Sequence, residues 1–526
     1  MHPFFHKLFS GIKNLGSRRR SNRRPPRPSV RPALEGLEDR ALLSTLFLVP
    51  ATTPADATHF HRFQDAYGAA VNGDIIQVEP GASVRSVGIV TAAIAGVQAG
   101  TNTITFSQRA HHPIQTIGPG EVVEVFGGGG NTEEFLVNRA QYIVHHIPGA
   151  VDSFWVDTVL TLDAPFQTPH AAGATVRSEG VLGIEKSITL QGDPSQAPGE
   201  VDSNMVVAGL GTQGVSFNHL QFTGHELVIP FSAHSVIVTN SAIGVLSDEG
   251  FNNRFDGNTF GAAALDADND QFTNNLVTGG VVDPTSGNPI PTGLSIGADS
   301  HNVLVQGNTF AMARTTTALV GIRSEGAQGL TIRNNSITLA TNTPGFVVGI
   351  FLDGGNIYGI PDTTIVENNT IDTSGKGTGL TVISYAGFGS PVSALVQGND
   401  FRNNAIGVGI WGDGTTAGNI DLGGGTLGSL GQNNFQSFTP QQAALGNFAI
   451  SLHLTAASGP GTRVFALNNL WSVADPTQVV RDGSHNTSAP ENSDSPSNGT
   501  GLIIVSQMQA VPVYVYRGTI LSPIGK

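Results

Sequence analysis

Acidic residues recur through the middle of this 526-residue chain at spacings suited to chemistry. Asp266, Asp268 and Asp270 alternate with Ala267 and Asn269, which brings oxygen ligands to alternate positions as a calcium loop does. The pattern is incomplete, because Gln271 and Val277 stand where such a loop has its turning Gly and its bidentate Glu. Asp248, Glu325 and Asp353 add carboxylates, Arg323 a cation, Trp411 a large aromatic face and His453 an imidazole. Two carboxyl groups flanking a glycosidic bond are enough for its hydrolysis: about 5 Å between them suits a retaining mechanism and roughly 6.5–9.5 Å an inverting one. On that chemistry the catalytic candidates are Asp268, Glu325, Asp353 and Arg323. Trp411, Asp266, Asp248 and His453 are the substrate-binding candidates, and Asp266, Asp268 and Asp270 the candidate calcium ligands. The plainer role for such residues is solubility and protection of exposed strands.

Whether these side chains meet depends on the elements that carry them. From about residue 214 a short phrase returns: apolar, two variable or turn residues, Asn, one more residue, then Phe or Ile. It reads Phe255-Asp256-Gly257-Asn258-Thr259-Phe260, then Phe272-Thr273-Asn274-Asn275-Leu276-Val277, and recurs around Asn308, Asn335, Asn369, Asn399 and Asn469. A degenerate copy lies at Asn240-Ser241. A second phrase has Gly followed by two apolar residues flanking a variable one, as in Gly293-Leu294-Ser295-Ile296 and Gly349-Ile350-Phe351-Leu352. Short strands of period two, separated by Gly or Asn turns and repeated without helical segments, predict a right-handed parallel β-helix. Each coil stacks about 4.8 Å above the last. Asn at the corner tolerates a left-handed backbone and offers an amide to the equivalent Asn of the next coil. If the first apolar residue after each Gly points inward, residues one and three later point outward. One outward column is then Asp248, Asp268, Gly297, Glu325, Asp353, Ile383, Trp411 and His453; the other is Leu246, Asp266, Ser295, Arg323, Phe351, Thr381, Gly409 and Ser451.

On these repeats the chain resembles the pectin-lyase-like superfamily of right-handed parallel β-helices. Phe63-Gln64-Asp65-Ala66-Tyr67 with Gly73-Asp74-Ile75-Ile76-Gln77-Val78 is similar to the first coil of such proteins. Asp421-Leu422-Gly423-Gly424-Gly425, and Asn468-Asn469-Leu470-Trp471 with Asp475-Pro476, resemble later coils. The resemblance implies a fold that hosts lyases, hydrolases, adhesins and structural proteins alike. Gly224-His225-Glu226 is superficially similar to a polygalacturonase motif, but the companion motifs are missing.

The parts divide as follows. Residues 58–83 are the first coil, 84–178 an inserted small β module rich in alternating apolar residues, 179–483 the repeats, and 484–526 a polar loop with closing strands around Leu502–Val505 and Tyr514–Tyr516. Residues 1–57 hold ten Lys or Arg against four Asp or Glu, and the rest holds 16 against 36. A basic leader followed by the apolar run Ala41–Val49 and the small residues Ala51, Ala55 and Ala57 predicts an export signal. Arg31-Pro32-Ala33-Leu34-Glu35-Gly36-Leu37-Glu38-Asp39-Arg40-Ala41-Leu42-Leu43-Ser44 resembles a segment near the N-terminus of many planctomycete extracellular proteins, which implies a surface or extracellular location. The acidic body argues against nucleic acid as partner. With no Cys, thiolate chemistry and disulfides are excluded, and no run of 18 apolar residues predicts a transmembrane helix. The expectation is an exported surface protein, structural or adhesin-like, whose partner is a polysaccharide or cell-envelope glycan. The alternative is a polysaccharide lyase or glycoside hydrolase working through an acidic groove. Calcium is the one candidate cofactor.

Overall fold

The computed structural model describes residues 44–505 apart from 86, 111–121, 128, 147–153, 180–181, 208–211, 280–290, 315–317, 342–344, 355–362, 385–391, 413–419, 455–462, 483–484 and 486–501. The chain winds as the expected right-handed parallel β-helix. Three faces recur in the regular coils. The first face is a 15-stranded parallel sheet that ends on Leu502–Ile504. The second and third faces join into one 21-stranded sheet, because strands such as Ala242–Asp248 and Thr259–Leu265 bend through both.

Inward residues stack in register. On the first face Phe217, Val238, Phe255, Phe272, Val305, Ile332, Val366 and Val396 each sit directly over the next and are fully buried. Burial of each such side chain stabilises by roughly 1.5–3 kcal/mol, so the stacked column carries much of the fold.

At the corner between the first and second faces, two residues divide the work expected of one. The left-handed backbone falls to the residue before the recurrent Asn: Asn240, Gly257, Asn274, Gly307, Asn334, Asn368, Gly398, Gln432 and Asn468 all have positive φ. The following Asn is buried and accepts from the coil before. Asn258 donates its backbone N–H to Asn275 Oδ1 at 2.9 Å, and Asn275, Asn308, Asn335, Asn369, Asn399 and Asn433 continue the ladder to Asn469. Asn433 is a further rung, preceded by Gln432 where the other Asn rungs follow Asn or Gly.

The first turn corrects one boundary. Residues 1–43 lie outside the described residues, but Thr45–Leu48 is a strand of the first face, paired with Ile75–Val78. Leu46 and Leu48 are buried in the solenoid core. Residues 45–48 therefore belong to the β-helix, not to a leader ending at 57. Phe63–Ala69, expected within a coil, is a short helix whose Phe63 and Ala66 are buried in the same core.

A small β module interrupts the first coils. Six antiparallel strands between Val87 and Glu179 form a sheet, and an Ala93–Phe106 bridge joins its two edges into a barrel. Its core, with Phe106, Phe135, Leu160, Phe166 and Val176, is separate from that of the solenoid. At the far end Leu502–Ile504 pairs with Arg463–Phe465 as a closing strand; Tyr514–Tyr516 lie outside the described residues. Among the described residues no helix is long and apolar enough to cross a membrane.

Candidate functional site

The outward side of the third face carries the candidate chemistry, with its register set by the inward column Leu246, Ala263, Leu294, Ile322, Ile350, Leu380, Val408 and Ile450. From Gly297 onward the outward column is the expected one: Gly297, Glu325, Asp353, Ile383, Trp411, His453. Above Gly297 it is not. Gly297 N–H bonds to Leu265 O and Asp266 N–H to Asp248 O, each at 2.7 Å. The column therefore continues through Asp266 and Glu249, whereas Asp248 and Asp268 leave it. For Asp248 the cause is a change of parity at Gly244-Val245, where the strand bends from the second face to the third and two successive residues miss the core; for Asp268 it is a shift of two residues, because Ala263 and not Leu265 is the counterpart of Leu294.

Asp248 is consequently not a surface residue. It is buried, accepting from Gly250 N–H at 2.8 Å and from Asn253 Nδ2 at 3.0 Å. Asp270 is also fully buried and accepts from Asn253 N–H at 2.8 Å. Burial, and then the hydrogen bond to Asp248 and its charge, push the Asp270 carboxyl up to about 10, so it holds a proton. Burial raises Asp248 too. The three candidate calcium ligands do not converge. Asp270 faces the interior, Asp268 bonds His301 Nδ1 at 2.7 Å on the corner, and Asp266 lies over Gly297. Among the described residues no group of three His or acidic side chains is placed to hold a metal ion.

The open part of the face is an acidic patch around Asp266, Glu325 and Asp353. Asp266 folds over Gly297 so closely that a Cβ there would stand 2.5 Å from its Oδ1. Burial raises the Asp266 carboxyl above the usual range, helped by the charges of Asp299 and Glu325, while the Asp299 N–H opposes the shift. Burial likewise raises Asp353; Arg323 opposes that shift and Glu325 adds to it. Burial and the charges of Asp266 and Asp248 raise Glu249. Arg323 Nη2 pairs with Glu325 Oε1 at 3.0 Å, and its guanidinium carbon lies 5.8 Å from the Phe351 ring centre. The patch thus sets protonatable carboxyls beside an ion-paired glutamate. Neither Glu249 nor Asp299 was foreseen as part of it.

Within the coils of Glu325 and Asp353 themselves, Val320, Val348 and Phe351 form a small buried cluster apart from the main core, with Ile383 of the next coil packed against it. Trp411 stacks on His453, ring centres 4.6 Å apart and planes 2° from parallel. His453 is buried, with Nε2 3.0 Å from Ser451 Oγ, so it is not open to a ligand as expected. Trp411 is half-buried, its ring over Gly409 and against His453. The groove expected from Asp268 to His453 is therefore not continuous: Asp268 lies off the column, Ile383 follows Asp353 in it, and His453 is buried.

A scan against protein-family models and a search of curated proteins find no match. Among solved structures, the catalytic domain of a GH87 alpha-1,3-glucanase in complex with tetrasaccharides is 11% identical, covering 79% of this chain and 89% of its own, with a TM-score of 0.27. A DFA-IIIase from Arthrobacter chlorophenolicus in complex with DFA-III is 11% identical over 58% of this chain and 73% of its own, with a TM-score of 0.29. A tailspike of Pseudomonas phage phi297 is 12% identical over 75% and 71%, with a TM-score of 0.24.

Proposed function

We propose that this chain is an exported β-helix protein that binds a polysaccharide across the acidic patch of its third face. The observation that carries the reading is the open half of that face. Asp266, Glu325, Asp353 and Arg323 place several hydrogen-bonding groups at one surface of a rigid sheet, and the column continues from them into Ile383, half-buried Trp411 and buried His453. Repeated polar positions at one coil spacing suit a repeating ligand. The basic leader and the Leu34–Ser44 segment support export.

A second reading, hydrolysis, is favoured by one further observation. Asp266 holds its proton more tightly than an ordinary carboxyl, whereas Glu325 is paired with Arg323. One coil lies between them, at Gly297. Their strands are therefore about 9.6 Å apart, which suits an acid and a base of an inverting glycosidase. Asp266 would protonate the leaving oxygen and Glu325 would activate water from the opposite side. Lyase chemistry has less support, because the one cation of the patch, Arg323, is already engaged.

The experiment is a screen of the purified full chain against a polysaccharide panel, scoring retention and release of reducing ends, repeated with Asp266→Asn and Glu325→Gln. Retention lost in these variants supports binding at the patch. Reducing ends that vanish in them support hydrolysis. A wild-type chain that retains no glycan would sink both readings.

A further inference from the structure

The corner leading from the third face back to the first carries a column that the proposed site does not use. His234, Phe251, Asp268 and His301 stand one above another, joined by parallel backbone bridges. The His234 ring lies on that of Phe251, with centres 4.7 Å apart and planes 20° from parallel. Phe251 is 37% exposed. One coil on, Asp268 and His301 form their 2.7 Å hydrogen bond, with side chains 50% and 44% exposed. A large ring held at the surface, outside the core, beside a polar pair is an arrangement that folding does not require.

The column borders the acidic patch. Phe251 follows Glu249 by two residues, and Asp268 follows Asp266 by two, a distance of about 6.6 Å along an extended strand. Ring and patch are therefore no more than about one sugar unit apart, where the chain turns off the third face. The patch also restricts what that surface accepts. Asp266 already feels the negative charges of Asp299 and Glu325, Asp353 feels that of Glu325, and Arg323 is paired with Glu325. A glycan bearing carboxylates or sulfates would add like charge, which opposes its binding at close range.

We infer that the corner column is a sugar-ring subsite for an uncharged glycan: one ring lies on Phe251, its hydroxyls meet the Asp268–His301 pair, and the chain continues onto the acidic patch. The inference rests on the glycan-binding reading above and adds its substrate class and a second point of contact.

The test is affinity electrophoresis of the full chain in gels containing a neutral glucan or mannan, or polygalacturonate or alginate, all with chelator so that calcium bridges nothing. Retardation by a neutral glycan is expected, with at least a tenfold loss of affinity in Phe251→Ala and in Phe251→Leu, which keeps apolar bulk without a ring face. Phe251→Trp should retain binding, and melting should match wild type in all three. Neutral binding unchanged in both ring-less variants overturns the subsite but leaves the proposed function standing. Tighter binding of a polyuronate overturns the uncharged class and also leaves it standing. No retardation by any glycan overturns both.

Discussion

Asn308 donates both its backbone N–H and its side-chain amide to one oxygen, Oδ1 of Asn335, each at 2.9 Å. Asn335 does the same to Asn369 and also donates to Val305 O at 3.0 Å. Removing one rung therefore strands several groups at once. Asn335→Ala should destabilise by about 2–4 kcal/mol, from two or more buried polar groups left unpaired at about 1–3 kcal/mol each. A melting curve checks this; a loss within the range of an ordinary surface substitution would show that the ladder is dispensable.

The buried acid pair makes stability depend on pH. The Asp270 carboxyl is raised from 3.8 to about 10, by burial first and then by Asp248. The folded chain therefore keeps a proton that the unfolded chain releases over this interval. Its contribution is fully present below 3.8 and falls as pH rises, until it is lost above about 10. Melting temperature should decline between pH 6 and pH 9 with the slope of about one proton, and Asp270→Asn should flatten that slope. Parallel profiles for the two proteins would contradict the assignment.

Gly297 opens the site. Its Cβ position lies 2.5 Å from Asp266 Oδ1, so Gly297→Ala must displace that carboxylate. We expect a fall in glycan retention of roughly tenfold, the effect of losing about 1.4 kcal/mol of binding, with little change in melting because the position faces outward. Unaltered retention would remove Asp266 from the site.

The N-terminal strand sets where a leader can be removed without harm. A chain beginning at Ser44 keeps Thr45–Leu48 and its pairing with Ile75–Val78. One beginning at Thr58 loses buried Leu46 and Leu48 and should melt several degrees lower, since losing even one such side chain costs roughly 1.5–3 kcal/mol. Comparing the melting of the two truncated chains decides it.

The solenoid was legible because its determinants are local and repeated: a residue able to turn left-handed, then Asn, then an apolar residue two positions on. The site was less legible, because the Gly-led phrase fixes outward positions only where Gly begins the third-face strand. At Gly244 it does not, which placed buried Asp248 on the groove; in the next coil no Gly stands directly before inward Ala263, and starting from Leu265 placed corner residue Asp268 there. The ladder would have served better. Asn258 follows Glu249 by nine residues, as Asn275 follows Asp266. Likewise His234, Phe251, Asp268 and His301 each precede their Ser241, Asn258, Asn275 or Asn308 by seven. Buried corners keep register where variable loops do not. The Trp411–His453 stack was hidden for another reason: sequence gives the direction of a side chain but not what lies over it.

The Asn ladder also has a polarity. Every rung donates toward the C-terminal coil, from Ser241 through to Asn433. The last does not. Asn469 accepts from Asn433, yet its amide hydrogens go to Leu422 O at 3.0 Å and Ala466 O at 2.8 Å, back into coils already formed. Among the described residues the ladder thus closes on a rung whose side chain is gripped from behind: Asn433 holds its oxygen and two earlier carbonyls hold its amide, which fixes the last described corner from its N-terminal side.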